Sequence, residues 1–434
     1  MASWADHAIW WHVYPLGFTG AEQAEPAAGA PVRHRLHQLE GWLGYAADLG
    51  CTGLLLGPVF AAESHGYDTI DHFHIDPRLG DQRDFDQLVA QAGRRGLRLV
   101  LDGVFNHVGR SFPAFRAALA GGPGSPAAKW FRREAAGGFA TFEGHQRLVT
   151  LDHEEPEVQD YVAQVMIHWL GRGASGWRLD AAYAVPPGFW AKVLPRVREA
   201  HPEAWFCGEM IHGDYAAYAA GSGLDSVTAY ELWKAIWSSL NDRNFFELAW
   251  ALGRHNELLG SVAPQTFVGN HDVTRLASRL TDGRHLGHAL AILFTVGGIP
   301  SVYYGDEQGL RGVKEDRAGG DDEIRPAFPA SPAGLAADGW PVYRLHQRLI
   351  GRRRAHPGLA HAQTTVPHLA NETIAIQAAA PDGTGALLLL NTGDGAFRFP
   401  VEAGGLTTAV TPDPDDASRD PLLVPAHSWA ILGT

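Results

Sequence analysis

Cysteine is scarce in this sequence, and no long apolar segment opens it. Only two of the 434 residues are cysteine, Cys51 and Cys207, and both lie beside apolar runs. Because two cysteines cannot build a disulfide framework, we expect reduced, buried thiols. The first residues show no basic segment followed by a long apolar stretch, so we expect neither a signal peptide nor a membrane span. These absences favour a cytoplasmic protein.

Several motifs that identify common enzyme classes are also missing. The sequence has no HExxH zinc motif, no GxxxxGK[ST] phosphate loop, no GxGxxG dinucleotide fingerprint and no GxSxG nucleophile elbow. His72 and His74 would share one face of a strand, but no third metal ligand accompanies them at a recognisable spacing. We therefore interpret that segment as a plain strand.

The charge of the chain restricts its partners. A net charge of −13 at pH 7 argues against nucleic acid and against an anionic membrane, because both would repel the protein. A neutral sugar is compatible with this charge. The sequence contains 45% hydrophobic and 19% charged residues, as ordinary globular proteins do, and nothing in it indicates an oligomeric state.

Short β-rich runs alternate with longer amphipathic segments. The predicted strands cover residues 9–18, 52–60, 97–105, 176–180, 204–209, 226–231, 265–269 and 300–304. The predicted helices cover residues 34–49, 84–95, 157–170, 189–200, 245–259 and 286–294. Eight strands with intervening helices predict an α/β protein with a closed (β/α)8, or TIM, barrel.

Two segments depart from this rhythm. Residues 108–150 are rich in glycine, proline and alanine, and so long a connection predicts a small inserted subdomain after the third strand. From residue 361 the apolar residues alternate, which predicts a C-terminal antiparallel β-sandwich over residues 361–434. The barrel would then comprise residues 1–107 and 151–360.

Acidic residues end three of the apolar runs. Asp180 closes GWRLD, Glu209 closes WFCGE and Asp272 closes TFVGNHD. Because the strands of a barrel all point to one face, these carboxyls are expected to meet in a single pocket. A pair of acids with separate roles is what cleavage of a glycosidic bond requires. The sequence therefore favours a carbohydrate-active enzyme.

The neighbours of two of these acids suggest how they differ. Arg178 precedes Asp180 by two residues, so both side chains lie on one face of a strand, and the guanidinium is expected to lower the pKa of Asp180. The apolar residues before Glu209 are expected to raise its pKa and to keep a proton available. A structural Arg–Asp pair and a salt-bridged glutamate explain the same residues equally well, and this alternative stays open.

The order of the motifs is more specific than any one of them. HGYD, DGVFNH, GWRLDAAY, GEM and FVGNHD follow one another along the chain. In this order they resemble the α-amylase family of glycoside hydrolases, and segments such as KWFRRE and PSVYYGDEQGL resemble its neopullulanase and cyclomaltodextrinase branch. The resemblance runs from the first strand to about Gly309.

The resemblance implies roles for individual residues. Asp180 matches the nucleophile, Glu209 the general acid/base and Asp272 the carboxylate that stabilises the transition state. The residues expected to bind substrate or to support the binding residues are Tyr67, Asp68, Asp102, His107, Arg178, His271, Asp322 and Arg325. Among these, Asp322 and Arg325 would contact more distal sugars, with a surface Asp–Arg pair as the alternative.

The resemblance also has implications for metals and for substrate size. No cofactor is expected to be required, but Asn106 and Asp152 align with positions that ligate calcium in some members of the family. Tyr183 stands where many starch-cleaving amylases have a lysine, which favours short or unusual acceptors. The N-terminal β-domain typical of cyclomaltodextrinases is missing from the sequence, so their preference for small cyclic substrates does not follow.

These observations lead to one main hypothesis and two alternatives. The main hypothesis is retaining hydrolysis of α-1,4-linked glucose oligosaccharides, such as malto-oligosaccharides, cyclodextrins or short α-glucosides. An α-glucosyltransferase or isomerase would pass the same covalent intermediate to a sugar acceptor. A non-catalytic carbohydrate-binding protein on the same scaffold is the third interpretation, and the full set of acids argues against it.

Overall fold

The structure of the protein is a computed structural model. It describes residues 3–22, 24, 30–135, 137–317, 319–402, 406–412 and 420–433.

Eight parallel strands form the central sheet of the molecule. They are β1 (Trp10–Val13), β2 (Gly53–Leu56), β3 (Arg98–Gly103), β4 (Gly176–Leu179), β5 (Trp205–Gly208), β6 (Ser226–Val227), β7 (Gln265–Phe267) and β8 (Ile299–Tyr303). From β1 to β6 each strand pairs with the next, β7 pairs with β8, and β8 pairs with β1. A parallel bridge between Thr228 and Gln265 joins β6 to β7. The sheet therefore closes on itself, and the predicted barrel is confirmed.

Helices surround this barrel. They are α1 (Pro15–Phe18), α2 (Leu36–Glu40), α3 (Leu43–Leu49), α4 (Gln82–Arg94), α5 (Pro113–Gly121), α6 (Pro156–Gly171), α7 (Pro187–Ala200), α8 (Tyr215–Ser222), α9 (Tyr230–Asp242), α10 (Phe246–Leu259), α11 (Leu276–Arg279), α12 (Leu286–Thr295) and α13 (Trp340–Ala355). Their buried faces are apolar, as in α6, where Val158, Val162, Met166 and Trp169 are all buried.

Seven of the eight predicted strands are longer than the observed ones, and the last, residues 300–304, has the length of Ile299–Tyr303. Residues 9–18 were expected to form one strand, but β1 stops at Val13 and α1 begins at Pro15. Proline fixes φ near the helical value and donates no ladder hydrogen bond, so it favours the first turn of a helix. This early stop leaves Tyr14 to turn toward the rim of the barrel.

Large side chains fill the inside of the barrel. Trp10 of β1, Leu55 of β2, Val100 of β3, Trp205 of β5 and Ile299 of β8 form one buried cluster. Trp10 and Trp205 lie 5.4 Å apart between ring centroids. Cys207 belongs to this cluster, and both cysteines are buried with free thiols. Apolar side chains thus fill the barrel at the N-terminal end of its strands. The polar groups lie at the opposite, C-terminal end.

The segment after β3 packs beside the barrel mouth. His107–Val108 pairs with Val149–Thr150 in a short antiparallel ladder that encloses α5 and a turn over Phe142–Gly144. A second hairpin joins Phe60–Ala62 to Thr69–Ile75, and it includes His72, whose ring contacts the carbonyl oxygen of Val104 and the Tyr161 hydroxyl. His72 is therefore a buried packing residue in a plain strand.

An antiparallel sheet follows α13. Its strands are Gln363–Leu369, Thr373–Ala379, Gly385–Asn391, Ser428–Gly433 and Thr407–Val410, in that spatial order. A two-stranded sheet, Phe397–Arg398 with Leu423–Val424, packs on one face through a cluster that contains Leu387, Phe399 and Val424. The other face packs on α12. The exact domain limits at residues 107, 150 and 360 stay a prediction.

Among the residues that the structure describes, no helix has the length and apolar character needed to span a membrane.

Candidate active site

The predicted acids meet at the C-terminal end of the barrel. Asp102 of β3 is in register with Arg178 of β4. Asp180 and Glu209 come directly after β4 and β5, and their amides extend the ladder by donating to the carbonyl oxygens of Gly103 and Leu179. Neighbouring strands that end at one level thus bring residues far apart in the sequence to the same place.

A single guanidinium links three of the carboxyls. Nη1 of Arg178 donates to both oxygens of Asp102, at 2.8 and 2.7 Å, and to Asp180 at 3.2 Å. Its Nη2 lies 2.6 Å from Oε1 of Glu209. All four side chains are buried. Because Asp180 and Glu209 contact the same guanidinium, their carboxyls belong to one cluster.

Glu209 has further donors around it. The amide of Ala181 donates to Oε2 at 2.9 Å, and the Tyr230 hydroxyl lies 3.4 Å from Oε1. Asn270 in turn donates to the Tyr230 oxygen at 2.8 Å. Tyr230 and Asn270 were not singled out from the sequence, since a tyrosine at the start of a helix has no distinctive spacing.

The pKa of Asp180 differs from the prediction. Burial and the neighbouring Glu209 raise the pKa of Asp180 well above its ordinary value, and Arg178 only partly opposes this. Burial also raises the pKa of Glu209, again against Arg178. Arg178 acts in the predicted direction, but burial and Glu209 outweigh it, so the pKa of Asp180 is raised rather than lowered. The two acids are best described as a pair that holds one proton.

Asp272 lies in a different electrostatic environment. It is 3.0 Å from Nε2 of His271 and accepts a hydrogen bond of 2.9 Å from Nη2 of Arg325. Although burial alone would raise its pKa, His271, Arg325 and Arg178 hold the pKa of Asp272 well below the usual range. Asp272 is therefore the ionised acid of the cluster.

Two aromatic side chains complete the floor of the site. The Tyr67 hydroxyl donates to Asp102 at 3.1 Å and contacts Nε2 of His271, and the two rings are parallel. Nε2 of His107 lies 3.0 Å from the carbonyl oxygen of Tyr67, and its ring stacks on Phe142. Burial lowers the pKa of His107 to about 3, so this ring is neutral.

A cleft of about 470 Å³ opens over these groups, and Tyr67, His107, Asp180, Glu209 and Asp272 line it. Next to Tyr67 and Phe142 it continues into a wider depression that Tyr14, Asp321, Asp322 and Arg325 line. The three predicted catalytic acids and four of the eight predicted binding residues, Tyr67, His107, Asp322 and Arg325, therefore face one continuous surface.

Asp68 and Asp102 do not face the cleft, because they are fully buried. Asp68 accepts hydrogen bonds from the backbone and hydroxyl of Ser64, and Asp102 accepts from Arg178 and Tyr67. Both carboxylates thus support the loop and the neighbouring side chains, as the resemblance implies for Asp102, and a part in substrate binding stays a prediction.

The arrangement around Arg325 also differs from the prediction. Arg325 bonds to Asp272 and, at 2.9 Å, to Asp321, whereas Asp322 is exposed on the rim of the wider depression. Arg325 thus belongs to the centre of the site rather than to a distal pair. Adjacent acids in a loop cannot be distinguished from sequence spacing, which is why Asp321 was missed.

The two residues aligned with calcium ligands do not form a cation site by themselves. The Asn106 amide contacts Nδ1 of His107 at 3.1 Å, and the Asp152 carboxylate accepts from the backbone of Glu154 at 3.1 Å. Among the described residues, the groups of three or more ligating side chains lie elsewhere, around Asp84 and around His285. A calcium ion takes six to eight oxygens, so further ligands would be needed, and calcium binding at Asn106 and Asp152 stays a prediction.

A contact across the cleft was not predicted. The Tyr183 hydroxyl, in the loop after β4, donates to Glu143 of the segment after β3 at 2.9 Å. Glu143 has a left-handed backbone, with φ of 49°, and both residues line the cleft. Because this pair joins residues 40 positions apart in irregular segments, no periodicity in the sequence indicates it.

Comparison with known proteins identifies the family of this chain. The chain matches the family model described as "Alpha amylase, catalytic domain" over residues 36–140 and 127–338. It is 29% identical to a cyclomaltodextrinase of Geobacillus thermopakistaniensis, over 92% of this chain and 71% of that protein. It is 28% identical to an intracellular maltogenic amylase of Bacillus subtilis, over 72% of this chain and 57% of that protein.

A solved structure with a similar fold matches almost end to end. It is the ligand-free form of cyclic alpha-maltosyl-(1-->6)-maltose hydrolase from Arthrobacter globiformis. The TM-score is 0.80 and the identity is 25%, and the match covers 100% of this chain and 99% of that one.

Proposed function

The chain belongs to the α-amylase family of glycoside hydrolases, and from that premise we propose that it hydrolyses α-1,4-linked glucose oligosaccharides with retention of configuration. The observation that carries the proposal is the shared contact of Asp180 and Glu209 with Arg178. It brings together a pair of acids that can hold one proton between them, which a double displacement requires.

In the first step Asp180 attacks the anomeric carbon while Glu209 donates its proton to the leaving oxygen. The proton of the pair must therefore reside on Glu209 at that moment, although burial raises the pKa of both acids and Arg178 opposes the rise at both. Water then enters, Glu209 removes its proton, and the bond to Asp180 breaks. The product keeps the α configuration because the carbon is inverted twice.

Asp272 acts on charge that develops during the reaction. The anomeric centre becomes positive in the transition state, and an ionised carboxylate nearby stabilises that charge. His271 and Arg325 keep Asp272 ionised and fix its position. Tyr67 and His107 provide flat surfaces for the sugar ring beside these acids.

Substrate size is proposed from the relatives and from the shape of the cleft. The relatives are named as a cyclomaltodextrinase, a maltogenic amylase and a hydrolase of cyclic alpha-maltosyl-(1-->6)-maltose. The hydrogen-bonded pair of Glu143 and Tyr183 lines the cleft, where it would contact a bound sugar. We therefore expect malto-oligosaccharides of a few units, linear or cyclic, to be cleaved faster than intact starch granules.

The test is the anomeric form of the first product. Proton NMR on the protein with maltotriose should show α-configured maltose or glucose before mutarotation, and chromatography should show shorter sugars only. A β-configured first product would refute retention. Products longer than the substrate would instead indicate transfer to a sugar acceptor through the same intermediate.

The place of action is proposed to be the cytoplasm. Cys51 and Cys207 are free and buried, which suits a reducing compartment, and one relative is named as intracellular. Fractionation of cells that express the tagged chain should recover it with cytoplasmic markers. Recovery from the medium or from the periplasm would contradict this expectation.

A further inference from the structure

A second groove, of about 400 Å³, opens beside the active-site cleft. Ile211, Tyr230 and Trp233 line both the groove and the cleft. From there the groove continues past α9 to Tyr215 at the start of α8 and to Trp250 of α10, which also line it. A ligand that leaves the cleft on the side of Glu209 and Tyr230 thus meets this groove without a break.

The groove carries unusual exposed apolar surface. The side chain of Trp250 is 62% exposed, and Ile211 at the entrance is 43% exposed. Phe246, one helical turn before Trp250, is also exposed. Large hydrophobic side chains exposed together mark binding surfaces more often than chance positions do. The exposed indole of Trp250 is therefore suited to bind a ligand with an apolar face.

The charges at the groove balance one another. Arg254 lies 2.6 Å from Glu231, and Lys234 contacts Glu247. The guanidinium of Arg254 also lies 5.2 Å from the centre of the Trp250 ring, which fixes the ring at the groove edge. Two neutralised ion pairs offer hydrogen bonds without net charge, so the surroundings suit a neutral ligand rather than an ion.

We propose that this groove binds further glucosyl units of a malto-oligosaccharide, on the leaving-group side of the bond that is cleaved. Glucose presents a face of C–H groups, which packs on an indole, and a rim of hydroxyls, which reach paired charged side chains. The inference rests on the proposed function, because that function places the leaving group on the Glu209 side. Trp250 would then set the preference for chain length.

The direct test compares substrates of two lengths. In Trp250→Ala the ratio of kcat/KM on maltoheptaose to kcat/KM on maltotriose should fall about fivefold, because a trisaccharide has at most two units on the leaving side. Trp250→Tyr keeps an aromatic ring and should restore much of the ratio. Leu423→Ala, which removes an exposed side chain of the C-terminal sheet, should leave the ratio unchanged.

Binding tests the groove independently of turnover. In a Glu209→Gln background, calorimetry with maltoheptaose should show about fivefold weaker binding when Trp250→Ala is added. An unchanged ratio or an unchanged Kd would overturn the proposal. A change of sedimentation from dimer to monomer in Trp250→Ala would also overturn it, by assigning the groove to a second copy. Failure of the wild type to cleave either sugar would refute the proposed function, and the calorimetry would still decide the groove.

Discussion

Two buried arginines near the C-terminal end of the barrel have opposite surroundings. Arg178 contacts the three carboxyls of Asp102, Asp180 and Glu209. Arg275 contacts one carboxylate, Asp306 at 2.8 Å, and otherwise donates to the carbonyl oxygens of Tyr304 and Ile324. One cation thus faces three acids in the first cluster and one acid in the second.

This difference distinguishes a reactive cluster from a structural one better than burial does. Burial raises the pKa of Asp306 to about 6 although Arg275 opposes it, so a raised pKa also occurs away from the cleft. The Arg275 cluster, however, has balanced charge and is covered by the Tyr303 and Tyr304 rings. The Arg178 cluster has more acids than cations, and two of these acids, Asp180 and Glu209, line the cleft. The Arg275 cluster has neither feature.

The largest contrast is expected between Asp180→Asn and Asp306→Asn. Loss of the proposed nucleophile should lower kcat/KM on maltotriose about 10⁴-fold. Its free energy of unfolding should stay the same or rise, because one repelling carboxyl is removed. Asp306→Asn should keep activity but lose about 3 kcal/mol of stability, since Arg275 is left buried and uncompensated. Steady-state kinetics and urea unfolding of both variants measure kcat/KM and the free energy of unfolding. Equal changes in the two variants would contradict the distinction between a reactive and a structural cluster.

The arginines themselves give the next contrast. In Arg178→Lys a compact ammonium cannot reach three carboxyls, so kcat should fall about 100-fold. The pKa of the acid pair should rise further, and the acidic limb of the pH–rate profile should therefore move to higher pH. Arg275→Lys should lower the melting temperature and leave the profile in place. A shifted profile in Arg275→Lys would show that the clusters are electrostatically connected.

Glu307 lies beside the Arg275 cluster. Its titration is expected to make the free energy of unfolding depend on pH. Burial raises its pKa to about 7, and it accepts hydrogen bonds from Tyr45 and from the amide of Gly305. The neutral form of Glu307 stabilises the fold. This contribution is complete below the pKa that Glu307 has in the unfolded chain, and it is lost as the pH rises toward 7. Glu307→Gln should flatten the decline of unfolding free energy between about pH 5 and 7, by about 1 to 3 kcal/mol. A decline as steep as in the wild type would contradict this.

The smallest effect is expected at the contact across the cleft. Tyr183→Phe removes the hydrogen bond to Glu143 and should raise KM about threefold, with a melting temperature close to that of the wild type. Glu143→Gln is the matched partner, and the double variant should be no worse than either single one. Additive effects would show that the two side chains act independently on the substrate.

The sequence indicated the residues at strand ends and missed those that irregular segments bring in. Asp180 and Glu209 follow apolar runs with the period of buried strands, and parallel strands necessarily end on one face. The pairing of Arg325 with Asp321 and the contact of Tyr183 with Glu143 depend on loop conformations. No periodicity encodes those conformations, so such contacts require coordinates.

The electrostatics of the site also required the structure. Arg178 was correctly expected on the same strand face as Asp180, but the pKa depends on how many acids share the guanidinium. Exposure of Trp250 was equally hidden, because a tryptophan in an amphipathic helix usually belongs to the core.

The central claim is that Asp180 forms a covalent bond to the sugar, and trapping that species tests it most directly. In Glu209→Gln an α-maltosyl fluoride needs no acid to leave, but the covalent adduct then lacks its general base and should accumulate. Mass spectrometry of the intact protein should show the added maltosyl mass, and peptide mapping should place it on the peptide that contains Asp180. An adduct on another residue, or turnover with none formed, would contradict the account.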